Sequence, residues 1–540
     1  MALPESGPIE RGLRFARADI AAFSRASGDR NPLHIDPDFA RRSAFGECVV
    51  PGALVAIAML GVLASEELAR IRLIRATFTG VVLPDAALTA SARRHPDRPG
   101  DWEIRLSGRG RGLVRLIARD TGGPLPAVRA DAASGEPRPM RTEPADVAIA
   151  ALPDEHLLVG EYRADTAELR ELARAAGAPT LHSGLLEGLA WASYVVGMEL
   201  PGRHGLFSAV TLSAEDLDAS SRDHAARQVI RVADRDERTG RLELEGALLA
   251  QSGARRSRIV IECFALGSTA PPDGAALGID VPPGPLRGAV AVIGGSRGFG
   301  ATLALALLAR GYAVHVVHSR DVVSAAELRS AAGQFAPRLT FHRADAGNPE
   351  ALTRVASEIR AASGTLCGLV LNAAPPPIPI GVTADSALEL ATYVAESVRL
   401  VAVPLGAMLG DLDGDTGWVL VSSSPAVVAP PREWPHYAAA KGAIEGIAHW
   451  LGVAAPGLRT VVLRPPKMVT DLTKTPGGRL GATPVETVAR WVAEQLSDSA
   501  PARGVSLLEP DAAELQRGSA AGRCVEPASA AGGRTPRPSA

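Results

Sequence analysis

The stretch GAVAVIGGSRGFGATLALALLARG constrains the fold of this chain more than any other feature. In these residues, 288–311, an apolar run of strand length enters a glycine-rich turn and then an apolar helix. Further apolar runs of strand length follow, and helical segments separate them. Strands that alternate with helices form a parallel sheet covered on both faces. We therefore expect residues 286–512 to form a doubly wound, Rossmann-type α/β domain.

The residues before this domain contain one pattern twice. Each copy has a short amphipathic helix that ends at a glycine, then a long apolar helix, then strand-like runs. The short helices are expected at 15–28 and 162–177, and the long ones at 49–63 and 182–197. A long buried helix wrapped by an antiparallel sheet is the hotdog arrangement. The pattern therefore predicts a double hotdog, of the α+β class.

Clusters of proline and glycine mark the domain boundaries. The predicted order is a first hotdog (1–140), a second hotdog (145–268), a linker (269–285), the Rossmann domain (286–512) and a disordered tail (513–540). The 540 residues are enough for three domains of ordinary size.

Charge and cysteine content exclude several classes of protein. The 57 basic and 59 acidic residues give a net charge of −2, which argues against a nucleic-acid or polybasic membrane partner. The four cysteines form no CxxC pair, so neither a disulfide framework nor a metal site is expected. No signal peptide and no apolar run long enough to span a membrane is recognised. We expect a reduced, cytoplasmic, multidomain protein.

Two motifs of the Rossmann domain carry chemistry. In GGSRGFG, Gly294, Gly298 and Gly300 lack a Cβ, so a pyrophosphate can approach the backbone at a helix N-terminus. A simple tight turn is the alternative. In YAAAK, Tyr437 and Lys441 share one helix face, where the ammonium can stabilise a phenolate. A pair of surface residues on a helix is the alternative there.

With these motifs, residues 286–475 resemble a short-chain dehydrogenase/reductase, most closely the 3-oxoacyl-thioester reductases. The resemblance implies that Ser424, with Ser423 as the alternative, binds the substrate carbonyl while Tyr437 donates a proton. It also implies cofactor contacts at Asp345, Asn372 and Thr470, beside Ser296 in the glycine-rich loop. The sequence departs from the family pattern at Ile293, Leu371, Ala374, Ser397 and Pro466. None of these departures removes the catalytic serine, tyrosine or lysine.

The end of the second Rossmann strand bears on the choice of cofactor. An NAD enzyme needs an acid there to bind the ribose hydroxyls, but this strand ends in HVVHSRD, which provides Ser319 and Arg320. A guanidinium suits a 2′-phosphate, and Arg297 in the glycine-rich loop adds a second one. We therefore expect NADPH as the cofactor.

The first hotdog contains DRNPLH, which the second lacks. Between Gly28 and Gly52 lie 23 residues, but between Gly177 and Gly184 only six. The fold therefore does not need this segment. A carboxylate at Asp29 and an imidazole at His34 can converge on one water and move protons at an activated double bond. An Asx-turn followed by a solvated histidine is the alternative.

The segment SGDRNPLHIDPDFARRSAFGECVVPGALVA resembles MaoC-type (R)-specific enoyl-CoA hydratases and dehydratases. The resemblance implies that Asp29 and His34 are the catalytic pair, that Asn31 orients the loop, and that the Gly52 N–H polarises the thioester carbonyl. The family usually has histidine before that glycine, where this chain has Pro51. The second copy is expected to be a structural partner.

Reduction of a 3-oxoacyl thioester gives the 3-hydroxyacyl thioester that an (R)-specific dehydratase consumes. We therefore expect a bifunctional ketoreductase and dehydratase that acts on acyl thioesters of coenzyme A or acyl carrier protein, in fatty-acid or polyketide-type metabolism. By analogy with both folds, we expect a homodimer. Two alternatives remain open: a ketoreductase whose hotdog half only binds thioesters or dimerises, and a non-enzymatic assembly component.

Overall fold

A computed structural model describes residues 8–121, 125, 136–153, 156–215, 225–252, 254–268, 270–319, 322–498 and 503–517. The chain divides into two compact units. Unit 1 comprises residues 1–269, 376–389 and 471–481, and unit 2 comprises residues 270–375, 390–470 and 482–540. Two segments from the second half of the chain thus belong to unit 1, which sequence patterns do not predict.

Unit 1 contains a ten-stranded antiparallel sheet. Its strands are β1 (Ile9–Leu13), β2 (Leu73–Phe78), β3 (Leu88–His95), β4 (Arg98–Gly108), β5 (Arg111–Arg119), β6 (Leu157–Tyr162), β7 (Gly205–Ala214), β8 (Ala226–Asp236), β9 (Arg241–Leu249) and β10 (Arg255–Ala265). Their order is β1-β3-β4-β5-β2-β7-β10-β9-β8-β6. From the central β2–β7 pair outward, both halves have the same succession of strands, as expected for two copies of one motif.

The helices of unit 1 follow the predicted repeat. They are α1 (Arg17–Ser27), α2 (Pro32–Ile35), α3 (Pro37–Ala40), α4 (Gly52–Leu60), α5 (Ser65–Arg70), α6 (Thr166–Ala175) and α7 (Ser183–Tyr194). A π-helical turn, Val195–Glu199, extends α7. The apolar helices α4 and α7 are buried almost throughout and form the core with the inner face of the sheet.

Unit 2 contains a seven-stranded parallel sheet. Its strands are β11 (Gly288–Ile293), β12 (Tyr312–His318), β13 (Leu339–Arg343), β14 (Leu366–Leu371), β15 (Trp418–Ser422), β16 (Arg459–Leu463) and β17 (Gly504–Leu508), in the order β13-β12-β11-β14-β15-β16-β17. The Rossmann-type doubly wound sheet is confirmed. Only the first six of these strands are predicted from the sequence.

Helices cover both faces of this sheet and form a core on each. They are α8 (Gly298–Ala309), α9 (Val322–Ala331), α10 (Pro349–Ser363), α11 (Ala387–Met408), α12 (Pro435–Ala454), α13 (Val485–Asp498) and α14 (Ala512–Arg517). By length and composition alone, α11 could cross a membrane, a test that core helices of soluble proteins also pass. Its Val401, Leu405 and Met408 are buried in the core of unit 2.

Two predicted boundaries are wrong in detail. Residues 513–517, assigned to a disordered tail, lie in α14, because Leu515 is buried in the core of unit 2. The rest of the tail, 518–540, lies outside the described residues. In the predicted linker, Leu277 and Ile279 are buried in the same core, so this part of the linker packs as part of unit 2.

Candidate active sites

The loop that carries Asp29 is held by the structure around it. Helix α1 ends at Gly28, whose φ of 75° lies in the left-handed region that favours glycine. The hydroxyl of Ser24 donates to the Asp29 carbonyl at 2.5 Å. The side chain of Asn31 accepts from the Leu33 N–H at 2.9 Å and so caps α2, and its amide donates to the Gly202 carbonyl at 3.2 Å. Asn31 therefore orients the loop.

Asp29 is only 2% exposed, and residues of both copies fix its carboxylate. Its Oδ1 accepts from the Asn31 N–H at 3.0 Å. Its Oδ2 accepts from the hydroxyl of Ser193, on α7 of the second copy, at 2.6 Å. Gly197 makes this closeness possible, because a Cβ there would lie 2.1 Å from Oδ1. The second copy thus contributes directly to the site.

The hydrogen bond of His34 determines its tautomer. Nδ1 lies 2.8 Å from the carbonyl oxygen of Val49. Because a carbonyl oxygen can only accept, Nδ1 carries the proton, and Nε2 is the basic nitrogen of the neutral ring.

Asp29 and His34 line one pocket of about 580 Å³, its open mouth included. Asn31 and Gly52 also line it, and its apolar walls include Phe78 and Phe207, packed edge to face at 5.4 Å. The structure therefore brings together all four residues predicted for the hydratase site. Ser193 and Gly197 line the same pocket, and sequence reasoning missed both. The signal in the sequence was Ser193 itself, a polar residue within the apolar helix α7 of the copy that lacks the DRNPLH motif.

Pro51 is the N-cap of α4, and Gly52 is its first residue. The first amides of a helix have no intrahelical acceptor, so the Gly52 N–H keeps its capacity to donate. Proline removes only its own amide, and its fixed φ suits a helix start. Pro51 is therefore compatible with a donor at Gly52. In the second copy, His182 Nδ1 accepts from the Gly184 N–H at 3.2 Å and caps α7.

The predicted residues of the reductase site lie at the ends of β15 and α12. Lys441 Nζ lies 5.6 Å from the ring centroid of Tyr437 and donates to the Ser422 carbonyl at 2.6 Å. Burial lowers the pKa of Lys441 to about 8, against the opposing effect of Glu445. Burial raises the pKa of Tyr437, and its hydrogen bond with Ser424 opposes that shift.

The two candidate serines have different partners. Ser424 is hydrogen-bonded with Tyr437 and accepts from the Ala426 N–H at 3.2 Å. Ser423 is buried, and its hydroxyl donates to Glu445 at 2.5 Å. The geometry favours Ser424 as the serine that meets the substrate.

The glycine-rich loop has the shape of a phosphate cradle. Gly294 and Gly298 have φ of 75° and 54°, and Gly298 begins α8. A Cβ on Gly300 would lie 2.3 Å from the Gly294 carbonyl oxygen. The amide of Asn372 donates to that oxygen at 3.2 Å and accepts from Ser422 at 3.0 Å, so Asn372 ties the loop to β15. The open backbone at a helix N-terminus fits the pyrophosphate of a dinucleotide.

The remaining cofactor residues surround this loop or end the neighbouring strands. Ser296 is buried in the loop, Arg297 is exposed at the N-cap of α8, and Thr470 lies 4.0 Å from where a Gly298 Cβ would be. Ser319 follows β12, and the exposed Asp345 follows β13, where it accepts from the Gly347 N–H at 2.9 Å. Arg320 lies outside the described residues.

Comparison with known proteins divides the chain in the same way. Residues 4–107 match the MaoC like domain, and residues 288–477 match the short chain dehydrogenase model. Over 53 residues the chain is 45% identical to an (R)-specific enoyl-CoA hydratase of Aeromonas caviae, covering 10% of this chain and 40% of that protein. Over 194 residues it is 29% identical to the uncharacterized oxidoreductase YgfF of Escherichia coli, covering 34% and 76%. A mitochondrial 3-hydroxyacyl-acyl-carrier-protein dehydratase of Solanum lycopersicum is 40% identical over 48 residues, covering 9% of this chain and 29% of that protein.

The chain therefore spans less than half the length of the two hydratase-type relatives. Solved structures that match include an alcohol dehydrogenase from Thermococcus sibiricus with 5-hydroxy-NADP (21% identity, 42% of this chain, 99% of that one, TM-score 0.37). An L-sorbose reductase from Gluconobacter frateurii with NADPH matches similarly (19%, 42%, 96%, TM-score 0.37). The predicted resemblance to both families is confirmed by the two domain models.

Proposed function

We propose that this chain, which carries a MaoC-like hotdog domain and a short-chain dehydrogenase domain, is a bifunctional enzyme. Unit 2 is an NADPH-dependent 3-oxoacyl-thioester ketoreductase. Unit 1 is an (R)-3-hydroxyacyl-thioester dehydratase, or a hydratase in the reverse direction. The observation that carries the proposal is that one chain has both a pocket lined by Asp29 and His34 and a second site with Ser424, Tyr437 and Lys441. The reactions proposed for these two sites are consecutive.

In the reductase, Ser424 and Tyr437 both hydrogen-bond to the oxygen of the 3-oxo group. Tyr437 donates its proton to that oxygen, and Lys441, cationic at neutral pH, stabilises the phenolate left behind. NADPH, when bound, supplies the hydride.

In the dehydratase, the Gly52 N–H donates to the thioester carbonyl, which makes the neighbouring carbon more acidic. One of the pair Asp29 and His34 removes a proton from that carbon, and the other protonates the leaving 3-hydroxyl. Water and a trans-2-enoyl thioester are the products. The apolar wall of Phe78 and Phe207 suits an acyl chain.

The choice of NADPH over NADH rests on charge. Arg297 is exposed at the N-cap of α8, and the end of β12 offers Ser319 where an NAD enzyme has an acid. Arg320, next to Ser319 in the sequence, is the second arginine that we propose for the 2′-phosphate. The acyl group is carried by coenzyme A or acyl carrier protein.

The test supplies NADPH and a 3-oxoacyl thioester on each carrier and measures both NADPH oxidation and enoyl thioester. We expect wild type to form both products, Asp29→Asn to stop at the 3-hydroxyacyl thioester, and Tyr437→Phe to abolish NADPH oxidation. Ser424→Ala is expected to mimic Tyr437→Phe, whereas the matched control Ser423→Ala retains more activity. Enoyl formation that survives Asp29→Asn would contradict the dehydratase assignment. Absence of NADPH oxidation with either carrier would contradict the reductase assignment.

A further inference from the structure

The outer face of the ten-stranded sheet, turned away from α4 and α7, carries charge in an ordered way. On β3, β4 and β5 three exposed arginines, Arg93, Arg105 and Arg115, surround the buried carboxylate of Glu103 at 2.6–2.9 Å. Three positive charges and one negative charge leave this basic cluster at +2. The three guanidiniums hold the pKa of Glu103 at about 2, against the effect of burial, so the carboxylate stays charged.

The other half of the same face carries the inverse arrangement. On β8, β9 and β10 three carboxylates, Asp234, Glu243 and Glu262, surround Arg241. The acids are 55%, 38% and 40% exposed. Three negative charges and one positive charge leave this acidic cluster at −2. Between the two clusters, Thr77 and Ala209 lie opposite each other on the central strands, and the exposed Arg75 lies opposite Thr211 on the same face.

The strand register places charged residues of both clusters in a single row across the sheet. The row runs Ser91, Arg105, Arg115, Thr77, Ala209, Glu262, Glu243, Asp234. Outward from the β2–β7 boundary, Arg115 and Glu262 lie at equal distances in strand number, and so do Arg105 and Glu243. A twofold axis parallel to the strands at that boundary would place Arg115 over the partner's Glu262, and Arg105 over the partner's Glu243.

We propose that this face is the self-association surface of the protein, and that its occupant is a second copy of the chain in an isologous, twofold dimer. Opposite net charges in mirrored positions make the face complementary to itself under such an axis. Packed sheets lie about 10 Å apart, a gap that arginine and glutamate side chains span from both sides. Thr77 and Ala209 at the centre provide a contact that needs no charge partner, and the charged clusters on either side set the register.

A charge-swap experiment tests this surface. Variant A is Arg105→Glu with Arg115→Glu, and variant B is Glu243→Arg with Glu262→Arg. In A both halves of the face become acidic, and in B both become basic. Molecular mass is measured by light scattering at ~50 mM and ~500 mM salt, where screening differs strongly.

We expect wild type to be a dimer at low salt and to dissociate more readily at high salt, toward the monomer mass of 55.9 kDa. A and B alone are expected to be monomers, and their equimolar mixture is expected to restore a dimer that contains one of each. Variant B leaves Glu103 and its arginines unchanged, so the test survives if A folds poorly, and circular dichroism checks both. A monomeric wild type, or dimers of A and B that persist unchanged, would overturn the proposal. If the wild type is monomeric and binds an acidic carrier protein through Arg105 and Arg115, the face has another occupant and the proposal is likewise overturned.

Discussion

At Asp29, hydrogen bonds from the two copies of the repeat meet on one carboxylate. The Asn31 N–H belongs to the same loop, but the Ser193 hydroxyl lies 164 residues away in sequence. A side chain held on both oxygens has a fixed orientation toward the pocket, which proton transfer requires. Ser193 is therefore a positioning residue.

We expect Ser193→Ala to lower the kcat of enoyl thioester hydration by about 10- to 100-fold, since a hydrogen bond to a charged group contributes about 1.5–3 kcal/mol. KM and NADPH oxidation are expected to stay close to wild type. Alanine suits the interior of a helix, so lost folding would not explain the effect. Ser183→Ala, at the start of the same helix, is the matched control. Unchanged hydration in Ser193→Ala would show that Asp29 does not need this contact.

Lys441 shows a conflict between stability and activity at one residue. Its pKa falls from 10.5 to about 8 because the folded protein buries its charge. Below pH 8 both the folded and the unfolded chain hold the proton, and the folded state bears the full cost of burial, up to about 3 kcal/mol. Between pH 8 and 10.5 the folded chain releases the proton first, so this cost disappears as the pH rises.

Lys441→Met is therefore expected to abolish the reductase activity. Below pH 8 the variant is expected to be more stable than wild type, by the cost of burying the charge minus the contribution of the lost hydrogen bond to Ser422. The difference in the free energy of unfolding should then move against the variant between pH 8 and 10.5. Urea unfolding followed across this range measures it. Lys467→Met, at an exposed lysine, is the matched control for the removal of a lysine side chain. A difference that does not vary with pH would contradict the buried charge.

At the scale of elements, sequence patterns predict what repeats locally. The apolar helices α4 and α7 and the first six Rossmann strands follow from local periodicity and length. The strand β17 is missed because the five residues GVSLL carry too short a pattern to separate a strand from a loop. The contributions of Ser193 and Gly197 are missed because their partner is distant in sequence and the second copy lacks the motif that marks the site.

The second copy also contains a buried ion pair that joins α7 to β10. Glu187 Oε1 lies 2.9 Å from Arg256 Nη1, and both side chains are almost fully buried. Glu187→Gln would leave the buried guanidinium without the charge that balances it. We expect a loss of about 3–5 kcal/mol in the free energy of unfolding, read from urea unfolding curves.

The double variant Glu187→Gln, Arg256→Met is expected to recover most of that loss, because it removes both charges. Glu171→Gln, in an exposed pair with Arg174, is the control and should change stability by less than about 1 kcal/mol. If the double variant is no more stable than Glu187→Gln, charge balance is not what this pair provides.

At the scale of the whole molecule, the two units have separate cores and separate candidate sites. The core of unit 1 contains α4 and α7, whereas the cores of unit 2 lie on the two faces of the parallel sheet. The sequence predicts this division, because one half shows a repeated helix and strand pattern and the other an alternating one. It does not predict that residues 376–389 and 471–481 belong to unit 1, since these segments carry no pattern of their own.

Separate cores predict that the cofactor protects the two activities unequally against heat. A ligand stabilises the unit that binds it, by about 2.7 kcal/mol at a concentration of 100 times Kd. After heating to a series of temperatures with and without NADPH, we expect the inactivation midpoint of ketoreduction to rise and that of enoyl hydration to change less.

The variant Gly298→Ala tests where the cofactor binds. The φ of 54° at this position makes a side chain costly, but the nearest atom to the added Cβ would lie 4.0 Å away, so the fold is expected to survive. The added methyl group is expected to obstruct the phosphate cradle. This variant should lose the protection of ketoreduction. Equal shifts of both midpoints would mean that the two units unfold together, and protection that persists in Gly298→Ala would place the cofactor elsewhere.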